Sequence, residues 1–145
     1  MRLVVQRVAK ASVKVGTREV GKIDKGLLVL VGVGKEDTKK EAEFLAEKLN
    51  KLRVMADKEG KMNLSVSDAG GSFLLVSQFT LYADTSGGNR PSFIRAAEPD
   101  LAREVYEHFV AKIKEKGVKV ETGSFGDYMD IAIELDGPVT IILES

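Results

Sequence analysis

The chain has 145 residues, 43% of them hydrophobic and 30% charged, with 22 basic and 22 acidic side chains and a formal net charge of zero. That describes an ordinary globule long enough for one core, and no apolar run approaches the roughly 20 residues needed to span a bilayer. Cysteine is absent and histidine occurs once, which excludes disulfides, thiolate nucleophiles and cysteine or multi-histidine zinc sites, while balanced charge limits any nucleic-acid contact to a few phosphates.

The opening residues, Met1-Arg2-Leu3-Val4-Val5-Gln6-Arg7, break every apolar piece with charge and carry no signal-peptide pattern, so a cytoplasmic protein is expected. Leu3 to Val8 reads as a strand. Ala11, Val13 and Val15, alternating with Lys10, Ser12 and Lys14, read as a second. Gly16 to Glu19 is a turn, and Val20 to Ile23 the returning hairpin arm. Leu27-Leu28-Val29-Leu30-Val31 is apolar on both faces, the mark of a central strand, and Gly32 and Gly34 end it. These glycines do not form a dinucleotide loop, because the third glycine and a placed acidic ribose ligand are missing.

Thr38-Lys39-Lys40-Glu41 has capping-box spacing, and Ala42, Leu45, Ala46, Leu49 and Leu52 follow at helical period. Asp57 to Gly60 is a turn, and Lys61 to Val66 is extended. A second doubly apolar strand, Phe73-Leu74-Leu75-Val76, then runs into Ser77, Gln78 and, after Phe79, the hydroxyl of Thr80. Polar groups at the end of a buried strand are either satisfied locally or aimed at a ligand.

Thr85 to Phe93 is loop by composition, either a plain surface connection or a substrate-facing flap with Arg90 as an anion contact. Pro99 opens a second helix with Leu101, Val105, Phe109 and Ile113 as its buried stripe, Lys112, Lys114 and Lys116 near its negative end and Gly117 at the stop. His108 lies off that stripe and reads as a solvated surface histidine, which leaves no Ser-His-Asp arrangement. Val118 to Glu121 is a short strand. Met129, Ile131, Ile133 and Leu135 alternate with polar residues, and Ile141-Ile142-Leu143 forms a last strand. Between these two, Gly137-Pro138 reads locally as a hairpin turn. The sum is about seven or eight strands and two helices, an α+β single domain over residues 1–145 with a curved, mainly antiparallel, barrel-like sheet.

Taken together, Ser77-Gln78-Phe79-Thr80 and Gly137-Pro138-Val139-Thr140 resemble the two signatures of the D-aminoacyl-tRNA deacylase (D-Tyr-tRNA deacylase) family. The likeness covers essentially the whole chain and includes Gln6-Arg7-Val8, Gly26 to Val33, Gly60-Lys61-Met62-Asn63, Arg90-Pro91-Ser92-Phe93 and Thr122 to Gly126. Leu135 departs from the pattern, standing where an asparagine often precedes Asp-Gly-Pro.

The resemblance implies hydrolysis of the ester between a D-amino acid, or misplaced glycine, and the terminal ribose of tRNA, with no metal and no cofactor. It also implies a homodimer with its sites at the interface and no membrane partner. Each site joins the Ser77–Thr80 segment of one copy to the Gly137-Pro138 turn of the other, where that peptide bond is cis. Backbone N–H groups around Phe79 and Thr80 are the expected oxyanion donors, with Gln78 as an orienting donor. Thr80 either positions substrate for water attack or is itself the nucleophile. Gly137 and Pro138 carbonyls are expected to hold the substrate amino group and leave no room for an L side chain, and Arg7 to brace the partner's turn. Phe125 and Met129 either wall the terminal adenosine or pack in the core. Two rivals are a general small-ester hydrolase using Thr80 or Ser77 and a non-enzymatic module that binds RNA ends.

Overall fold

In a computed structural model, which describes residues 1–145, the strand apolar on both faces is β3 (Gly26–Gly32), lying between β1 (Arg2–Val15) and β6 (Ser72–Ser77). The sheet runs β2 (Arg18–Ile23), β1, β3, β6, β7 (Lys119–Thr122), and β8 (Asp130–Glu144) pairs along β1. The three pairings of β1 are antiparallel, whereas β3–β6 and β6–β7 are parallel. Parallel neighbours need long crossovers. The first contains helix α1 (Lys39–Asn50) and the small hairpin of β4 (Met55–Ala56) and β5 (Met62–Leu64), and the second contains helix α2 (Pro99–Lys114).

The unbroken apolar runs of β3 and β6 are explained by two cores. Leu27, Val29, Val31, Phe73 and Leu75 pack toward the helices with Leu45, Leu49, Phe109 and Ile113. Leu28, Leu74 and Val76 face the hollow of the curved sheet with Val8, Ala11, Val13 and Ile23. The curl brings β2 up to β7: a Cβ on Gly21 would lie 2.5 Å from the Thr122 carbonyl oxygen, so only glycine permits that approach. The capping box forms as predicted, with Thr38 Oγ1 accepting from the Lys40 N–H and the Glu41 carboxylate accepting from the Thr38 N–H.

Three local expectations change. The two strands expected at Leu3–Val8 and Ala11–Val15 are one bent strand: opposite β8 the register steps from Val8 to Lys10, so Ala9 is a bulge residue. That extra residue shifts the alternation and turns Ala11 and Val13 onto the same face as Val8. Likewise Gly137-Pro138 is no chain reversal. β8 continues through it along β1, and the register jumps from Val8–Leu135 to Gln6–Thr140, which leaves residues 136–139 looped out opposite Arg7. Finally, Leu101 is 36% exposed, and the buried stripe of α2 is Ala102, Val105, Tyr106, Phe109, Val110 and Ile113. Strict steps of four drift about 40° each around a helix, so alternating steps of three and four hold one face where 101-105-109-113 does not.

Candidate active site

The parallel strands β3, β6 and β7 all point their carboxyl ends the same way, the end at which such sheets commonly place ligands. The last rung of β6 is the Gln78 N–H donating to Val31 O at 2.8 Å. The chain then leaves the sheet as a single 3-10 turn, Phe79–Tyr82, so the polar segment predicted to finish a strand instead wraps over the strand end. Within it the Gln78 amide donates to Thr80 Oγ1 at 2.6 Å, and Gln78 is the only hydrogen-bond partner of that hydroxyl. Hydrogen bonding inside the turn begins with the Leu81 N–H to Gln78 O (3.3 Å), which leaves the Phe79 and Thr80 N–H groups outside the turn's own ladder. Phe79 is 55% exposed and meets Phe93 of the following loop edge-on, with ring centroids 5.0 Å apart. Asp84 and Ser92 clip the ends of that loop together, and Arg90 stands on its exposed tip.

Beside this turn the chain after β7 supplies Phe125 and Met129. Phe125 is half-buried between the Tyr106 ring (5.9 Å) and the Arg103 guanidinium (4.6 Å), while Tyr106 bonds Leu75 O at 2.9 Å, two residues before Ser77. The Met129 sulfur accepts the Ser124 N–H at 3.3 Å and lies against the inner core. In one chain both therefore have packing partners of their own.

The Gly137–Pro138 peptide is cis and exposed. Its brace is Arg7, whose Nε donates to Asp136 O (3.0 Å) and pairs with Asp136 Oδ2 (3.2 Å) while Nη1 donates to Val54 O (2.8 Å). The resemblance assigns Arg7 to the partner's turn; within a single copy all three contacts are to its own chain, because Arg7 is the β1 residue facing the looped-out stretch.

The structure does not bring the two signatures together in one copy. Ser77–Thr80 sits by the start of β1, where Arg2 pairs with Gly32, and Gly137-Pro138 sits opposite Arg7, five residues on. Five residues of strand are about 17 Å. Two clefts of the chain, of about 270 and 250 Å³, are lined by none of Ser77–Thr80, Gly137 and Pro138. No group of three or more His, Asp or Glu side chains is placed to share a metal ion, and His108 Nε2 bonds Glu43 Oε1 at 2.8 Å, tying α2 to α1.

Residues 4–144 match the family model described as D-Tyr-tRNA(Tyr) deacylase. The chain belongs to that family. Among curated relatives, the D-aminoacyl-tRNA deacylase of Brevibacillus brevis is 56% identical over 100% of both chains, and that of Thermotoga petrophila is 55% identical over 100% of this chain and 97% of its own. Among solved structures, one described as c-Myc DNA Unwinding Element Binding Protein superposes with a TM-score of 0.93 at 42% identity, over 100% of this chain and 99% of the other. Another, described as a probable eukaryotic D-amino acid tRNA deacylase, reaches a TM-score of 0.86 at 16% identity, over 99% and 98%, and shows a shared fold. The expected family, enzyme class and α+β architecture are met: this is a D-aminoacyl-tRNA deacylase, a carboxylic-ester hydrolase.

What the deacylase motifs did not signal is how the reactive-looking turn is held. Its back is fixed by Arg2, Gly34 and Asp37, which are 79, 48 and 45 positions from Leu81 or Tyr82. Pairs so distant leave no local pattern to read.

Proposed function

We propose that the chain removes D-amino acids, and glycine placed on the wrong tRNA, from the 3′ end of aminoacyl-tRNA in the cytoplasm, acting as a homodimer with two shared sites. One observation carries the shared site: within a single copy Phe79 and Thr80 of one signature and Gly137 and Pro138 of the other are exposed and lie at separate levels of β1, so neither has its counterpart. A second supports association between copies. β8 pairs only with β1, which leaves a 15-residue edge strand whose Ile133, Leu135 and Ile142 are exposed. A long apolar edge of this kind calls for a partner.

In this reading water attacks the ester, an already activated bond for which orientation and oxyanion stabilisation suffice. The Phe79 and Thr80 N–H groups receive the developing oxyanion, Gln78 and Thr80 orient the substrate, and the substrate's own ribose hydroxyl assists. Thr80 Oγ1 has no imidazole, amine or carboxylate bonded to it, which speaks against activation as a nucleophile. The partner's turn, through its Gly137 and Pro138 carbonyls, holds the substrate amino group and closes the volume an L side chain would need. A D side chain points outward, which makes the range of amino acids broad, and glycine has nothing to clash.

Deacylation assays on matched D-Tyr-tRNA, L-Tyr-tRNA and Gly-tRNA test the whole reading. Turnover of the D and glycyl forms with the L form untouched is expected. Equal turnover of free D-amino acid esters would instead favour a general esterase, and tight tRNA binding without hydrolysis an RNA-end-binding module.

A further inference from the structure

Of the four residues in the 3-10 turn only Tyr82 is buried, at 9% exposure, and Phe79 at its front is mostly in water. Apolar packing therefore does little to hold the turn in place, and something else must. Three contacts supply it, all at the rear. The Tyr82 hydroxyl donates to Asp37 Oδ2 at 3.1 Å, and the same carboxylate accepts the Gly34 N–H at 2.6 Å and faces the Met1 ammonium. Asp37 is itself buried. Arg2 reaches across from β1: its guanidinium lies 4.9 Å from the centre of the Tyr82 ring, and Nη1 donates to Leu81 O at 3.0 Å. Arg2 is fixed in turn by Glu144 at 2.7 Å. The floor is shaped to match, since a Cβ on Gly34 would lie 2.8 Å from the Tyr82 ring and one on Gly32 would lie 3.0 Å from Leu81 Cβ.

From this arrangement we infer that Asp37, Tyr82 and Arg2 are positioning residues for the deacylation reaction, a clamp that sets where the Phe79 and Thr80 N–H groups point. The inference rests on the reading of Ser77–Thr80 as the reacting segment. The clamp touches no substrate and acts only through the turn. Its geometry suits that work: it grips residues 81 and 82, one to three positions behind the donors, and leaves the front of the turn free. Displacing oriented donors by a fraction of an ångström slows reaction without weakening binding made elsewhere.

Steady-state hydrolysis of D-Tyr-tRNA tests the inference with Tyr82→Phe, Asp37→Asn and the double variant. Tyr82→Phe keeps the ring under Arg2 and deletes only the hydroxyl. The expected result is a kcat about tenfold lower in each single variant, KM within about twofold of the parent, and a double variant less impaired than the product of the singles, because the Tyr82 hydroxyl acts through the Asp37 carboxylate. An unchanged kcat in Tyr82→Phe, a loss confined to KM, or losses that multiply in the double variant would each overturn the clamp. The underlying reading is checked separately with Phe79→Pro against Phe79→Ala. Proline suits the first position of the turn, Gln78 before it lies outside the helical region that a following proline disfavours, and the substitution removes one backbone N–H. If Phe79→Pro is no slower than Phe79→Ala, the oxyanion reading falls and the clamp with it. If it is slower while Tyr82→Phe is normal, the clamp alone is refuted.

Discussion

Replacing Thr80 by alanine separates the two chemistries open to this site. The side chain is exposed, and its hydroxyl makes one hydrogen bond, accepted from the Gln78 amide at 2.6 Å. A bond of that kind is worth about 0.5–1.5 kcal/mol net. If all of it serves to orient substrate in the transition state, its loss slows the reaction by roughly 2- to 13-fold, since 1.36 kcal/mol is tenfold. The amide left behind can turn to water, which favours the lower end. Removing a true nucleophile costs on the order of 10⁶-fold in the best-measured case. The two expectations differ by more than four orders of magnitude, far beyond any uncertainty in the hydrogen-bond figure. The assay is single-turnover release of D-tyrosine from D-Tyr-tRNA with enzyme in excess, accompanied by a thermal melt. A loss greater than ~10³-fold with an unchanged melt would refute the water mechanism and establish Thr80 as the attacking group.

Three further outcomes rest on the same fold. Inserting one glycine between Gly137 and Pro138 should bring the D and L rates together, because the carbonyls proposed to face the substrate move while β8 keeps its pairing on both sides; a preserved D/L ratio would show that selection lies elsewhere. Lysine at both Leu135 and Ile142, exposed on the free edge strand, should give a monomer by light scattering and abolish turnover; an active monomer would exclude a shared site. Alkaline pH should destabilise the fold. Burial, aided by Asp37, pushes the Tyr82 hydroxyl up to about 12, and burial moves Tyr106 the same way. A phenol in the unfolded chain ionises near 10, so the stabilisation is complete below about pH 10 and is lost as pH rises toward 12. Chemical denaturation across that range should show the decline, and Tyr82→Phe should flatten part of it.

The elements most legible in the sequence were those whose local chemistry and long-range packing agree. Thr38 with Glu41 announced the start of α1, and the apolar runs at Leu27–Val31 and Phe73–Val76 could only be strands covered on both sides. The two signature segments point to the family on sequence alone. What escaped was register. A single bulge at Ala9 leaves good alternation on either side of it, so one bent strand looks like two. Gly-Pro carries turn chemistry whether the chain reverses or merely loops out and continues, and only pairing with β1 distinguishes the two. The alternation of Ile131, Ile133 and Leu135 implied one dry face, yet Ile133 and Leu135 are exposed in a single copy. The residues that fix the candidate site, Arg2, Arg7 and Asp37, act on carbonyls and hydroxyls far away in sequence, and no periodicity encodes such contacts.

If the proposed turn performs chiral selection, the energy that selection demands explains why it needs a brace at all. Rejecting L-aminoacyl-tRNA by ~10⁴-fold requires about 5.5 kcal/mol, whereas a hydrophobic pocket that merely fits one side chain less well supplies about 1–3 kcal/mol. A main-chain wall can exceed that only if it does not yield. In the proposed site the wall is a looped-out stretch of β8, which a ladder of strand hydrogen bonds leaves unsupported between Leu135 and Thr140. Arg7 restores the support. It grips Asp136 through both carbonyl and carboxylate, and it anchors the grip to Val54 beside the β4–β5 hairpin, its side chain only 11% exposed. Lysine keeps the charge but lacks the planar fork that makes these bonds at once. Arg7→Lys should therefore keep much of the D-Tyr-tRNA activity while L-Tyr-tRNA hydrolysis rises at least about tenfold, the equivalent of 1.4 kcal/mol of lost rejection. Parallel D and L assays on that variant measure the stiffness of the wall directly, and an L rate as low as the parent's would mean that rejection does not depend on holding residues 136–138 still.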